Sequence, residues 1–168
     1  MKLNENEKKT LKLLIENARM PDSKIASILN ISSQAVGKIR RKLEEKLIDS
    51  YTLNLDYSKL GINTFAIAIA KLTKEGMNKG EIEVEKNLMN IPHIISIYRI
   101  PKGSLSHIIL YGFKDMNELD EFFHSPETKR RLHDLIETQE LFTFSHSSLI
   151  KNDPAKLFHK VIDELDKR

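Results

Sequence analysis

A chain of 168 residues, 40% hydrophobic and 30% charged, can bury a core as one domain or two small ones and lies outside disordered and fibrous compositions. Its longest apolar stretch, from Ile62 to Leu72, is interrupted by Asn63, Thr64 and Lys71. That falls far short of the ~20 residues a bilayer span needs, so no membrane partner is expected.

No cysteine is present, and MKLNENEKKT lacks the apolar centre of a secretory signal, so the expected location is cytoplasmic. The net charge of +3 is unevenly spread: residues 1–50 hold 11 Lys/Arg against 7 Asp/Glu, and the remainder 16 against 17. A basic excess confined to the first third is a mild footprint of a domain that meets a polyanion.

Asn4 with Glu7 three residues later forms a capping pair ahead of Leu11, Leu14, Ile15 and Ala18, which predicts an amphipathic helix over 4–18. Met20-Pro21-Asp22 breaks it, and a two-turn helix follows through Ile25, Ala26 and Leu29. Asn30 tolerates the left-handed backbone and makes the turn into Ile31. Ser32 or Ser33 then caps a third helix to about Lys46, with Val36, Ile39, Leu43 and Leu47 as its buried face.

Ala26 where two helices approach, Asn30 at the turn, and Val36 with Ile39 returning to the core is the spacing of a helix-turn-helix. Burying that face leaves Ser32, Ser33, Gln34, Gly37, Lys38, Arg40 and Arg41 as candidate contacts to double-stranded DNA. Gln34 suits adenine edges, Lys38 and the arginines suit guanine or phosphate, and Gly37 admits close backbone approach. Glu44 and Glu45 sit at the far end, away from an incoming duplex.

YTLNLDY alternates as a linker strand, with Tyr51, Leu53 and Leu55 on one side. From Ile62 to Leu72 a strand is expected, then a helix over 81–89 through Ile82, Val84, Leu88 and Met89. Strands follow over 94–100 and 105–113 about the turn Pro101-Lys102-Gly103-Ser104. Helices over 115–123 and 126–137 and a last strand over 141–150 complete the order strand, helix, strand, strand, helix, strand. That order is the split βαβ or ferredoxin-like arrangement, whose sheet has one face covered by helices. The bare face predicts a homodimer through this domain. Beyond it, Asp153, Pro154 and the stripe Leu157, Phe158, Val161, Ile162 and Leu165 predict an extra amphipathic helix, packed on its own chain or on a neighbour.

The run NARMPDSKIASILNISSQAVGKIRRKLEEKLIDSYTLNLDYSKLG, residues 17–61, resembles the DNA-binding and linker portion of the Lrp/AsnC (feast/famine) transcription regulators. The element order downstream is similar to that family's regulatory domain, the RAM domain. The resemblance implies a dimer joined through the ferredoxin-like domains, further assembly into tetramers or octamers, and transcription controlled by a small molecule such as an amino acid. Many members carry Gly-x-x-Asp between the second and third regulatory strands. Here PKGSLSHIIL offers Gly103, Ser104 and Ser106, with Ser106 where the Asp would stand. A serine cannot supply a carboxylate to a ligand ammonium group, which leaves the effector's class open.

The expected architecture is therefore α+β: a helix-turn-helix domain over 1–50, a linker strand and hinge over 51–61, a ferredoxin-like dimerisation and effector domain over 62–150, and a C-terminal helix over 151–168. Two other readings use parts of the pattern. One is an architectural DNA-binding protein with little sequence preference. The other is a haem-precursor decarboxylase, since a branch resembling this family carries a His and Tyr/Arg signature that His93, Tyr98 and Arg99 superficially match. The six histidines lack paired metal-ligand spacing, and no phosphate loop or nucleophile elbow is present, so neither a metal nor a cofactor is called for.

Overall fold

The computed structural model describes residues 2–165 and divides the chain into two compact units, one of 1–54 with 151–168 and one of 55–150. Among the described residues, no helix is long and apolar enough to cross a membrane.

In the first unit, helices α1 (Glu5–Glu16), α2 (Asp22–Leu29) and α3 (Ser33–Lys46) enclose Leu3, Leu11, Leu14, Ile25, Ala26, Val36 and Leu43. The expected capping pair forms. The Asn4 side chain accepts from the Glu7 N–H (2.9 Å), and the Asn4 N–H donates to the Glu7 carboxylate (3.0 Å). The other oxygen of that buried carboxylate accepts from Lys42 Nζ at 2.5 Å, so one side chain both caps α1 and ties it to α3. Asn30 takes the left-handed conformation (φ 55°, ψ 48°), and its N–H and that of Ile31 both reach the carbonyl of Ala26.

Helix α1 ends before Ala18, which is exposed in the turn, and α3 ends at Lys46, leaving Leu47 45% exposed. The expected linker strand does not form. Residues 51–56 carry no regular structure, and Tyr51 folds back to donate its hydroxyl to Glu44 (2.9 Å). Alternation is not sufficient for a strand where no neighbouring strand offers ladder partners. After the sheet unit, α8 (Ala155–Glu164) returns to this unit. The helix starts one residue later than expected, with Pro154 at the N-cap instead of the first helical position. Asp153 accepts from the Ala155 N–H (2.9 Å) in the turn before it, Ile162 enters the core, and Asp163 pairs with Lys12 (2.5 Å).

The second unit is an antiparallel four-stranded sheet in the order β2-β3-β1-β4, built from β1 (Thr64–Leu72), β2 (Ile94–Arg99), β3 (His107–Phe113) and β4 (Ile136–Ser145). Helices α5 (Glu81–Met89), α6 (Met116–His124) and the short α7 (Pro126–Thr128), which runs on into a π-helical turn over Lys129–His133, contribute to its core. Ala66, Ala68 and Ala70 of β1 stand opposite Tyr111, Ile109 and His107 of β3, all fully buried on the core side. The alternate positions present Ile67, Ile69, Ile108 and Leu110, half-buried, with Phe142 53% and Tyr98 61% exposed. This is the expected bare apolar face.

Four details depart from the sequence reading. A six-residue helix, α4 (Lys74–Lys79), follows β1 where none was expected. Its Thr73 cap accepts from the Gly76 N–H (3.0 Å), and a Cβ on Gly76 would lie 2.1 Å from the Leu135 carbonyl oxygen, so only glycine fits there. Segment KEGMNK lacks an apolar period, which is why it is silent in the sequence. Strand β4 runs Ile136–Ser145 rather than over 141–150, and the helix expected over 126–137 ends with the turn at His133. A register shift between Ile69 and Ala70 sets an extra β4 residue opposite them, and the broken alternation hides the start of the strand in IETQELFTFS. In α5 only Val84 and Leu88 are buried, with Ile82 69% and Met89 67% exposed. In α8 most of the expected stripe stays outside the core: Leu157 is 57%, and Phe158 and Val161 are each 46% exposed.

The Glu7 carboxylate gives the first prediction. Burial pushes its pKa up, but the hydrogen bonds from Lys42 and Asn4 outweigh that and hold it below the usual 4.5. Its folded pKa lies below the unfolded one, so the stabilisation is complete above about pH 4.5 and disappears as pH falls through the folded value. Glu7→Gln should lower the stability of the helical unit by about 1–2 kcal/mol at pH 7, with the gap to wild type closing in acid. Thermal melts followed by circular dichroism between pH 3 and 7 check this; a pH-independent gap would refute it.

Candidate nucleic-acid interface

Helix α3 is positioned by what its inner side must do. Val36 is fully buried, Leu43 nearly so, and Ile39 half-buried, which fixes its rotation in the helical unit. Arg40 adds a second constraint. Its Nε donates to Asp22 (2.8 Å) at the start of α2, and a terminal nitrogen donates to the Met20 carbonyl (2.7 Å). Burial lowers the guanidinium pKa and its hydrogen bonds to Asp22 and Tyr51 raise it, with a net rise. Arg40 is thus bound within its own unit, locking α3 to the turn before α2.

The opposite face carries Ser33, Gln34, Lys38 and Arg41, all exposed and all without a hydrogen-bond or ion-pair partner among the described residues. Of the other three residues read from sequence, each has a task inside the fold. Ser32 is the N-cap, accepting from the Ala35 N–H at 3.1 Å. Gly37 faces α2: a Cβ there would meet the Asp22 carboxylate at 3.3 Å, so the absence of a side chain serves the α2–α3 approach. Arg40 is the third. Arg19, just before α2, and Lys24, in its first turn, are further exposed cations, signalled in the sequence only by the basic excess of the first third.

In the sheet unit, the β2–β3 turn exposes Gly103, at φ 120°, and Ser104. Ser106 points inward. Its hydroxyl donates to the Ala70 carbonyl (3.2 Å) and lies 2.9 Å from Nδ1 of the fully buried His107, whose Nε2 is 3.4 Å from Glu85. Arg99 grips the same Glu85 through two hydrogen bonds (2.6 and 2.5 Å) and, with His107, holds its carboxyl below the usual carboxylate range.

A cleft of about 450 Å³ opens elsewhere, lined by Ile91, His93, Glu118, Phe122 and Arg131 among others, with His93 stacked on Phe113 at 5.0 Å. His93, Tyr98 and Arg99 therefore do not converge: the first lies in this cleft, the second on the open sheet face, the third on Glu85. Among the described residues, no group of three or more His, Asp or Glu could hold a metal.

A compact three-helix unit with a polar, cationic face on its third helix, joined in one chain to a ferredoxin-like sheet, defines a helix-turn-helix DNA-binding protein with a second, α+β unit. The winged helix-turn-helix DNA-binding family model matches residues 3–46. No strand follows α3 before β1 among the described residues, so a β-hairpin wing is not part of this unit. An uncharacterised HTH-type transcriptional regulator of Pyrococcus horikoshii is 30% identical over 121 residues, which are 70% of this chain and 73% of that protein. The HTH-type transcriptional regulator LrpA of Pyrococcus abyssi is 33% identical over 97 residues, 57% of this chain and 66% of that one. A transcriptional regulator of Neisseria meningitidis, solved as a complex with L-Met, shares the fold at a TM-score of 0.73 and 16% identity, over 92% of this chain and 96% of its own. The chain belongs to the Lrp/AsnC family, and it is a DNA-binding transcription regulator.

The two adjacent arginines separate the roles. Arg40→Ala should lower the stability of the helical unit by about 1–2 kcal/mol, because it leaves Asp22 and the Met20 carbonyl without their donor, whereas Arg41→Ala should change it by less than about 0.5 kcal/mol. Denaturant titrations of the two variants check this, and equal losses would overturn the assignment.

Proposed function

We propose that this chain is a sequence-specific regulator in which α3 enters the major groove and reads it with Ser33, Gln34, Lys38 and Arg41. The observation that carries the reading is the set of partnerless polar side chains on one exposed face of a helix whose other face is fixed by burial. Gln34 has the paired donor and acceptor that match adenine, and the two cations suit guanine or phosphate. Arg19 and Lys24 add phosphate contacts at the start of α2.

The apolar sheet face of residues 62–150 joins two copies, and residues 51–61 connect it to the reading unit. Two copies related by a twofold axis address half-sites one helical turn or a multiple apart, so the operator is pseudo-palindromic. A small-molecule effector acts at the β2–β3 turn around Gly103 and Ser104. That an effector exists is supported by the structural neighbour from Neisseria, which was solved as a complex with L-Met, and its place by the exposure of that turn. Ser106 contributes through the position of the turn, since its hydroxyl is already committed to Ala70. The relatives bear the names of regulators, which supports a protein without catalytic activity.

Selection of bound genomic fragments, followed by anisotropy titrations against the best fragment and random DNA, tests the reading. A regulator should prefer its site by about 10³-fold or more at physiological salt, and an architectural binder should not. Lys38→Ala should weaken binding and flatten the logarithmic salt dependence by about 1, while melting unchanged. Unaltered affinity in Gln34→Ala, Lys38→Ala and Arg41→Ala would remove α3 as the reader. Repeating the titration with a panel of amino acids tests the effector.

The sheet face makes a separate prediction: Ile67→Lys with Leu110→Glu should halve the mass measured by sedimentation equilibrium without unfolding the chain. An unchanged mass would refute pairing through that face.

A further inference from the structure

Helix α8 carries more apolar surface than its own unit covers. Ile162 enters the core and Leu165 packs against it, yet Leu157 (57%), Phe158 (46%) and Val161 (46%) remain exposed. At 3.6 residues per turn, Leu157 and Val161 share one stripe, with Phe158 along one border and Lys160 and Glu164 along the other. Lys156, Lys160 and Glu164 have no ion-pair partner among the described residues. Asp163 is already taken by Lys12, which fixes the opposite side of α8 to α1.

The order of these charges is directional. Along the border the cation Lys160 stands one turn before the carboxylate Glu164. Two copies of α8 packed parallel about a twofold axis would set the charged border of each beside the Phe158 border of the other and leave the charges unpaired. Packed antiparallel about a twofold axis near Val161, they bring Lys160 of each copy beside Glu164 of the other, with Leu157, Phe158 and Val161 enclosed between them. The apolar stripe and its charged border are thus complementary to their own reverse.

We propose that α8 is a self-pairing surface that joins the DNA-binding units of two copies of this chain through an antiparallel α8–α8 contact. Three half-exposed side chains per copy cover much less than the ~1,200 Å² at which interfaces become stable alone. The contact therefore acts between copies already held together by the sheet face, where tethering raises the effective concentration, and in that sense it rests on the sheet-pairing reading. Its consequence is functional: coupling two helical units fixes the separation of their α3 helices, and hence the half-site spacing the assembly accepts.

Because the natural chain has no cysteine, one introduced thiol reports the contact cleanly. The full chain carrying Val161→Cys, at the proposed axis, should form a disulfide-linked dimer under mild oxidation roughly tenfold faster than one carrying Asn78→Cys, an exposed position in α4. Adding Lys160→Glu or Glu164→Lys to the Val161→Cys chain should slow cross-linking several-fold, roughly, and adding both should restore it. Restoration by the charge exchange cannot come from a folding defect. Sedimentation of the wild-type chain separates the two readings. A monomeric mass defeats sheet pairing and, with it, the tethered contact. A dimeric or larger mass with Val161→Cys linking no faster than Asn78→Cys, or with no rescue by the exchange, overturns α8 pairing alone.

Discussion

The burial of one side of α3 is the constraint on which the helical unit depends. Val36 and Leu43 are sealed against α1 and α2, and once they are inside, the rotation of the helix is no longer free. Two polar ties at different heights hold that rotation: Arg40 to Asp22 and the Met20 carbonyl, and Lys42 to Glu7. Each joins α3 to a different neighbour. A rigid inner side makes the outer side a defined array, so Gln34, Lys38 and Arg41 are presented in fixed relative positions at little cost in ordering when a partner arrives.

The same economy appears in the polar groups at the helix starts. The Glu7 carboxylate serves the α1 cap with one oxygen and Lys42 with the other, and Asp22 opens α2 while receiving Arg40. Gly37 leaves room for that carboxylate beside α3. These interactions lie between elements separated by as many as 35 residues, so they join the three helices into one cooperative body.

The sheet unit is organised by a division between its faces. Alanines on β1 face large side chains on β3 beneath the helices, while isoleucine, leucine and aromatic residues line the uncovered side. Around the β2–β3 turn, Glu85 gathers Arg99 and the buried His107, and Ser106 closes onto Ala70. The turn therefore stands on a hydrogen-bonded base that reaches β1 and α5.

The sequence by itself determined the helix-turn-helix spacing, the left-handed Asn30, the cap at Asn4, a serine cap at 32 or 33, and the order of strands and helices that makes the open sheet. These are local properties, carried by periodicity and by side chains that bond to backbone a few residues away. Only the tertiary structure decided that Arg40 is bound while Arg41 beside it has no partner among the described residues, because the difference lies in Asp22, eighteen residues distant. It likewise decided the early start of β4, the absence of a strand at 51–56 and the return of α8 to the helical unit. Each of these depends on which partner a segment meets in space, and a pattern of apolar and polar residues along one segment does not name that partner.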